Sequence, residues 1–334
     1  MDAHPAAPAV PGFGVIARTD RVTFWPLPTP MRSDGAPRRT GVEIEFAGLS
    51  EGAAAEVVRG LWGGTVEGAD PSVVRGGRHG PVRVIRDSAL ARSGAEGMLL
   101  SALGDLVPIE IVTAPLPPEA LVQVDRLVAG LRAGGARGTR DAVRFGFGVH
   151  FNVELTAATP EALLPVVRAF ALLEDWLRAS DPPDPARRLL PFVDPWPRAL
   201  IDGLAADGAG WDIDTLTAQY LALTPSRNRG LNLLPVLEHL RPHTVRAALA
   251  PGQAKGGRPT FHYRLPEARV DEDDWSLAYE WNRWVIVERV AARAGLLAAL
   301  AEEWQAHRAA LLSIRPDWAR TVEDHLMAAR IWEG

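Results

Sequence analysis

Hydrophobic and polar residues alternate with a period of two in four short segments of the chain. In each segment, aliphatic or aromatic residues fill one set of alternate positions, and charged, amide, imidazole or glycine residues fill much of the other. Because successive side chains of a β-strand point to opposite faces, this alternation predicts four strands, each with a buried face and a polar face. The predicted strands are residues 40–46, 108–112, 145–154 and 260–265.

Apolar residues recur at helical spacing between and after these segments. Ser50 is placed to cap the first helix, and Gly63 follows its end. A glycine-rich turn between two short apolar runs also predicts a β-hairpin, with strands at 72–75 and 82–86. The predicted helices are residues 50–61, 117–134, 159–179, 214–223, 275–295, 296–313 and 316–330.

These elements predict an α+β fold. A curved antiparallel sheet would carry a polar, concave active-site face, and helices would pack on its apolar face. Residues 1–38 are rich in Pro, Ala and Gly and predict an N-terminal arm laid over the surface. Residues 39–334 show no linker or internal repeat and predict one domain, with a loop-rich insertion at about 181–210 and a helical part at about 274–331.

The composition narrows the classes of function. Hydrophobic residues make up 47% of the 334 residues, which is enough to bury a large core. The formal charge of -5 and the pI near 5.9 give no electrostatic basis for binding nucleic acid or a membrane surface. Charged residues interrupt the apolar run at 284–300, and the start of the chain lacks signal-peptide features, so a cytoplasmic protein is expected. The oligomeric state cannot be read from the chain.

Cysteine is absent, which excludes disulfides, thiolate metal sites and a cysteine nucleophile. His, Asp and Glu are therefore the candidate metal ligands. A buried, unpaired carboxylate costs several kcal/mol, which a bound divalent cation would offset; a solvated acidic face is the alternative for Glu43 and Glu45. The polar faces of the predicted strands carry Glu43, Glu45, Glu110, His150, Asn152, His262 and Arg264.

Two loops carry candidate anion-binding residues. Arg227 and Asn228 follow a helix and a Pro-Ser turn, and guanidinium groups match the geometry of phosphate oxygens; surface salt bridges are the alternative. The glycine-rich segment 252–258 holds Arg258 and Lys255, the single lysine of the chain. This segment lacks the GxxxxGK[ST] pattern, so a P-loop is not predicted.

Six segments together resemble, in order, the motifs of the amidoligase family in the glutamine synthetase and glutamate-cysteine ligase superfamily. They span about residues 38–290, and none is specific alone. The resemblance implies a glutamine synthetase-like catalytic domain that joins a small-molecule amino acid or peptide carboxylate to an amine, using ATP and a divalent cation, through an acyl phosphate. The segments are GVEIEF at 41–46, DSAL at 87–90, PIEIVTAPL at 108–116, GFGVHFNV at 146–153, RNRGLNLL at 227–234 and FHYRLPEA at 261–268.

The resemblance also implies which residues would hold the cations. Glu43 and His150 would hold the cation bound to the phosphates of ATP. Glu45 and Glu110 would hold the cation near the acyl centre. His262 stands where the family has a glutamate ligand, two residues before the arginine of the last strand. Imidazole is neutral and softer than carboxylate, so the predicted cation is Mg²⁺ or Mn²⁺, and His262 favours Mn²⁺.

The other candidate residues would act on the phosphates or on the amine. Arg227 and Arg264 would neutralise the transferring phosphoryl group. Either Glu154 or Asp87 would deprotonate the amine, and the sequence does not choose between them; Asp87 capping the next turn is the alternative. The predicted nucleotide-binding residues are Asn152, Asn228, Lys255 and Arg258.

Two other classes of function remain open. The first is a phosphotransferase of the same fold that moves the γ-phosphoryl group to a guanidino or amine group. The second is a non-catalytic nucleotide-binding relative, which the departures at His262 and Asn152 make conceivable. Asn152 stands where the family has the second His of an HxH strand.

Overall fold

An eight-stranded antiparallel sheet forms the framework of the molecule. The computed structural model describes residues 11–69, 71–86, 108–139, 146–182, 193–250 and 253–333. The strands are β1 (Thr40–Phe46), β2 (Thr65–Glu67), β3 (Ser72–Arg75), β4 (Val82–Arg86), β5 (Ile109–Thr113), β6 (Val149–Glu154), β7 (Leu231–Asn232) and β8 (Thr260–Tyr263). They lie in the order β2-β3-β4-β5-β1-β6-β8-β7, and each neighbouring pair is antiparallel. The first strand in the chain therefore lies inside the sheet.

The register of the inner strands aligns polar residues across the sheet. Three cross-strand pairs join predicted site residues: Glu43 with His150, Glu45 with Glu110, and Asn152 with His262. Directly paired residues of adjacent strands point to the same face. The polar sets predicted from the alternation therefore share one face of the sheet.

The predicted helices begin and end close to their expected positions, whereas the short helices Gly14–Ala17, Leu234–Leu240 and Pro242–Ala248 were not predicted. Ser50 caps α2, since its Oγ accepts a hydrogen bond from Ala53 N at 3.2 Å, and Gly63 ends this helix with a φ of 80°. Within the described residues, no helix is both long and apolar enough to cross a lipid bilayer. The helices are α1 (Gly14–Ala17), α2 (Glu51–Trp62), α3 (Leu121–Ala133), α4 (Pro160–Ser180), α5 (Arg198–Ala206), α6 (Ile213–Leu223), α7 (Leu234–Leu240), α8 (Pro242–Ala248), α9 (Leu277–Ala292), α10 (Ala294–Ala309) and α11 (Arg315–Ala328).

Helices cover the apolar face of the sheet. On β1 this face consists of Val42, Ile44 and Phe46, which have no exposed surface. On β6, the ring of Phe151 meets the ring of Trp281 on α9 edge to face, with centroids 5.6 Å apart. Trp281 is thus a packing residue, and the polar face of the sheet remains available for binding and catalysis.

The arm before β1 is bound to α9. Trp25 N donates to Asn282 Oδ1 at 2.8 Å. Arg38 forms two hydrogen bonds with the carboxylate of Glu288, at 2.7 and 2.8 Å, and its Nε donates to the carbonyl oxygen of Glu154 at 2.6 Å. This buried, bidentate ion pair fixes the chain directly before it enters β1.

The third predicted strand is shorter than its alternation suggests. β6 begins at Val149, whereas the pattern extends back to position 145, which lies outside the described residues. Gly148 instead forms an isolated bridge with Glu267, in the segment after β8. Gly146 and Gly148 lower the preference for a regular strand before Val149, which accounts for the later start of β6.

The region predicted to be loop-rich, 181–210, contains the helix α5. Leu200, Ile201 and Leu204 are buried and recur at helical spacing, so the apolar stripe was present in the sequence. Two strands, β2 and β7, were not predicted. They contain three and two residues, which is too short for a period-two pattern to be recognised.

Candidate functional site

A buried network of hydrogen bonds lies on the polar face at the centre of the sheet. His150 Nδ1 lies 2.8 Å from Glu43 Oε2, and Asn152 Nδ2 donates to Glu43 Oε1 at 2.8 Å. His262 Nδ1 lies 2.8 Å from Asn152 Oδ1. All four side chains are buried. Strands β1, β6 and β8 therefore bring four of the predicted site residues into one connected unit.

Glu45, Glu110 and His150 form a second group beside this network. One potential ligand atom of each lies within 4.8 Å of the others. His150 Nε2 is 3.8 Å from Glu45 Oε1, and Glu45 Oε2 accepts a hydrogen bond from Gly148 N at 2.8 Å. The group combines two carboxylates with one imidazole, a donor set that divalent cations use.

Glu43, His150 and His262 also have potential ligand atoms within 4.8 Å of one another. The two imidazole rings lie with their centroids 5.2 Å apart and their planes at 67°. His150 thus belongs to both groups. The five residues predicted as metal ligands fall into two adjacent candidate cation positions that share this histidine.

Burial and hydrogen bonding set the charges of the inner group. Burial acts to raise the pKa of Glu43, but the hydrogen bond from His150, the electrostatic interactions with His262 and His150, and the hydrogen bond from Asn152 together outweigh it and hold that pKa well below the usual range. Glu43 is therefore a carboxylate at neutral pH. Burial lowers the pKa of His262 well below its ordinary value, so this imidazole is neutral, as a metal-ligating histidine must be.

The residues of the second group fit a divalent cation. Glu45 and Glu110 lie directly opposite each other on β1 and β5, and like charges at such positions destabilise a sheet. A cation between the two carboxylates would convert this repulsion into attraction. Carboxylate oxygens suit Mg²⁺ or Mn²⁺, and the additional imidazole nitrogen suits Mn²⁺ better.

Three arginines lie beside the acidic centre. Arg258 Nη1 is 3.4 Å from Glu43 Oε1, and the guanidinium of Arg264 donates a hydrogen bond to the carbonyl oxygen of Arg227. Burial, followed by the charges of Arg264 and Arg258, lowers the pKa of Arg227, although Glu43 and Glu110 act in the opposite direction. A guanidinium group carries a positive charge and only donates hydrogen bonds. Such a group of guanidinium ions favours a polyanion.

The other predicted nucleotide-binding and catalytic residues are less closely associated with the acidic centre. Asn228 accepts a hydrogen bond from Asp194 N through its carbonyl oxygen, at 3.0 Å, which fixes the backbone of its loop. Lys255 is exposed. Asp87 lies outside the described residues.

Glu154 is held by the arm rather than by the acidic centre. It lies two residues beyond Asn152 on β6, and its Oε2 accepts a hydrogen bond from Arg39 N at 2.8 Å. Its Oε1 is 3.7 Å from Arg32 Nη1. The alternation on β6 is correct for Glu154, but the recorded contacts of its carboxylate are with the segment that precedes β1.

Asn232 is a polar residue of this face to which sequence reasoning assigned no role. It pairs with His262 across β7 and β8 and is fully buried. Its Oδ1 accepts a hydrogen bond from Leu234 N at 3.0 Å, whereas its Nδ2 has no partner among the described residues. An asparagine within the apolar run at 231–234 was the available signal, but a two-residue strand shows no alternation.

An antiparallel sheet with two adjacent cation positions and a rim of arginines defines a site suited to a divalent cation together with an anionic ligand. A family model described as "Putative amidoligase enzyme" matches residues 36–286. The chain belongs to this amidoligase family, which confirms the resemblance carried by its six motifs. No curated protein and no solved structure matches the chain.

Proposed function

We propose that the protein is an ATP- and divalent-cation-dependent ligase that joins a carboxylate to an amine. The observation that carries this proposal is the position of the two candidate cation groups directly beside Arg227, Arg258 and Arg264, in a chain of the amidoligase family. Cations and guanidinium groups on one face are what a polyphosphate substrate requires. The proposal includes a glutamine synthetase-like catalytic fold, which the antiparallel sheet with helices on its apolar face supports.

The proposed reaction activates the carboxylate as an acyl phosphate. ATP is converted to ADP, the amine displaces phosphate from the acyl phosphate, and the products are an amide, phosphate and a proton. Divalent cations would neutralise the phosphate oxygens and polarise the phosphoryl group when bound. The residues that would hold them are Glu43, Glu45, Glu110, His150 and His262.

The arginines would stabilise charge on the transferring phosphoryl group. The guanidinium of Arg264 is oriented by its hydrogen bond to the carbonyl oxygen of Arg227. Burial of Arg227 strengthens its interaction with an anion, because the local dielectric constant is lower than in water. Asn228 and the exposed Lys255, on the loops beside them, are assigned to the nucleotide with Arg258 and Asn152.

The amine must lose a proton to displace phosphate. Glu154 and Asp87 remain the proposed bases. The contacts of Glu154 with Arg39 N and Arg32 limit the reach of its carboxylate. A base role for Glu154 therefore requires the amine to enter next to the arm.

The proposal is tested by mass spectrometry of mixtures of amino acids or short peptides with amines, in the presence of ATP and either Mg²⁺ or Mn²⁺. The expected result is a condensation product that is lighter than the sum of its substrates by one water, with one ADP formed per product. ADP formed together with a stable phosphorylated guanidino or amine compound would instead identify a phosphotransferase. ATP binding without any turnover across the mixtures would contradict the enzymatic proposal.

A further inference from the structure

A single amide connects the buried carboxylate of Glu43 to the imidazole of His262. Asn152 Nδ2 donates to Glu43 Oε1 at 2.8 Å, and Asn152 Oδ1 lies 2.8 Å from His262 Nδ1. The exposed fractions of the three residues are 7%, 6% and 4%. Water is therefore largely excluded from the two hydrogen bonds, and each end of the amide has one protein partner.

The orientation of this amide follows from the chemistry of its partners. A carboxylate accepts hydrogen bonds and cannot donate one, so Asn152 must present its NH₂ group to Glu43. The amide oxygen of Asn152 then faces His262. An amide oxygen only accepts, so Nδ1 of His262 must carry the hydrogen.

The second ring nitrogen of His262 is fixed by the same argument. An imidazole that ligates a metal is neutral and carries one ring hydrogen, and the contact with the Asn152 amide oxygen places that hydrogen on Nδ1. Nε2 therefore has a lone pair. A lone pair on one ring nitrogen, with the other nitrogen donating to a fixed acceptor, is the state in which histidine ligates a metal.

We propose that Asn152 is a positioning residue: it transmits the orientation of the Glu43 carboxylate to His262, selects the Nδ1–H tautomer and so presents Nε2 to a divalent cation. This inference rests on the cation-binding part of the proposed function. It assigns Asn152 the role of orienting the metal ligand His262, in addition to any contact with a nucleotide.

The imidazole of His150 contacts the carboxylate of Glu43 directly, without an intervening side chain. Its Nδ1 lies 2.8 Å from Glu43 Oε2, and its Nε2 is directed towards Glu45, 3.8 Å away. Glu43 thus orients His150 directly and His262 through Asn152. The difference provides an internal control, because removal of the amide should affect only one of the two histidines.

The tautomer is measured by ¹⁵N NMR of the metal-free protein at neutral pH, which distinguishes a protonated from an unprotonated ring nitrogen by chemical shift. His262→Gln identifies the signals of His262. In the wild type, His262 should show Nδ1–H and an unprotonated Nε2. In Asn152→Leu, which has a similar volume but no polar atoms, His262 should lose this single tautomer, while the Nδ1–H of His150 should persist.

The effect on the cation is measured by Mn²⁺ binding, followed by the electron paramagnetic resonance signal of free Mn²⁺. Loss of a group that orients a metal-ligating histidine typically lowers metal affinity by about 10–100-fold, and we expect this loss in Asn152→Leu. Thr260→Val is the matched control. Thr260 lies on β8, and its Oγ1 has no hydrogen-bond partner among the described residues, so its Mn²⁺ affinity should equal that of the wild type.

Two results would overturn the inference. One is a wild-type His262 with its hydrogen on Nε2, a measurement that does not require any variant to fold. The other is a folded Asn152→Leu protein, with a native circular-dichroism spectrum, that binds Mn²⁺ as tightly as the wild type. Failure of the proposed function looks different: the tautomers are as expected, and Mn²⁺ binds, but no mixture of carboxylate, amine and ATP yields a product.

Discussion

Two clusters of charged side chains in the protein's interior differ in how their charges are matched. One cluster lies between α4, α9 and the segment after β8. There, Glu280 is 2.7 Å from Arg283, and Glu267 is 3.0 Å from Arg269. Asp181 is 3.2 Å from Arg269 and 3.4 Å from Arg283. We call these five residues the closed cluster, because each carboxylate has a guanidinium partner.

The other cluster, the open centre, consists of Glu43, Glu45, Glu110, His150 and His262. Its carboxylates face imidazoles and one another, and Arg258, one of the three arginines beside it, lies 3.4 Å from Glu43. Matched ion pairs with good geometry offset the cost of burying charge, whereas a group dominated by carboxylates becomes favourable when a cation joins it. The comparison teaches that carboxylates set beside imidazoles and one another, rather than burial of charge, mark the site.

The largest expected effect is loss of turnover on replacement of Glu45 in the open centre. Glu45→Ala removes a proposed cation ligand, and metal stabilisation of a phosphoryl transition state is worth several kcal/mol, so kcat should fall by about 10³-fold or more. The fold should persist, because removal of one of two opposed carboxylates relieves repulsion. ADP release and thermal unfolding measure the two quantities.

Glu67→Ala is the control for this change. Glu67 lies on the edge strand β2 in an exposed ion pair with Arg75, 2.9 Å long, far along the sheet order from β1. Its kcat should match that of the wild type. Wild-type turnover in Glu45→Ala would remove the open centre from the mechanism.

In the closed cluster, the expected effect is on stability. Arg283→Met removes the guanidinium partner of the buried Glu280 and one of the two partners of the half-buried Asp181, and breaking a buried pair in this way costs about 3–5 kcal/mol of unfolding free energy. Urea unfolding measures this cost. Adding Glu280→Gln should recover part of it, and the folded fraction should keep its kcat; a specific loss of turnover would contradict the division of roles between the two clusters.

A somewhat smaller effect is expected at the arginines beside the open centre. Arg227→Ala and Arg264→Ala should each lower kcat by about 10²–10³-fold, because each removes a charge that stabilises the phosphoryl transition state. Steady-state kinetics on the condensation reaction measure this change. Arg241→Ala, which removes an exposed pair with Asp214, should have no such effect, and equal losses in all three variants would refute a specific role.

The smallest expected effect is the change in unfolding free energy on Mn²⁺ binding, which should distinguish the two clusters. Mn²⁺ at about 100 times its Kd should raise the unfolding free energy by about 2.7 kcal/mol, since it binds the folded state selectively. Arg283→Met should retain this increment in full, while Glu45→Ala should lose most of it. Thermal unfolding with Mn²⁺, and again after excess EDTA, measures the difference; an equal increment in Glu45→Ala would place the cation elsewhere.

The sheet was largely predictable because its alternation is local. From Val42 to Phe46, the alternation of apolar and polar residues assigns each side chain to one face of the sheet. The register of β1 with its neighbours then follows from the alignment of their polar residues. The same reasoning correctly grouped Glu43, Glu45, Glu110, His150 and His262 on one face. Strand order and the short strand β7, which brings Asn232 beside His262, depend on contacts distant in the chain and were not predictable.

The hydrogen bonds of the polar side chains on this face also could not be predicted from the sequence. Alternation cannot show that Asn152 joins Glu43 to His262, because that contact depends on which rotamers point towards each other. It also cannot show that Arg32 and Arg39 N engage Glu154, which shares its face with the site. The exact partners of polar side chains are a property of packing, whereas the face they occupy is a property of the strand.

The central position of β1 has a consequence for how the protein is made. Glu43 meets His150 107 residues later in the chain, and Arg38 meets Glu288 250 residues later. Contacts so distant in sequence slow folding, since the entropy cost of closing a long loop must be met before the contact energy is gained. On a ribosome the first acidic strand would emerge long before its neighbours, with its apolar face exposed to aggregation. Chaperones that cover this face should therefore raise the yield of native protein, and fragments that end before β8 should have no working site.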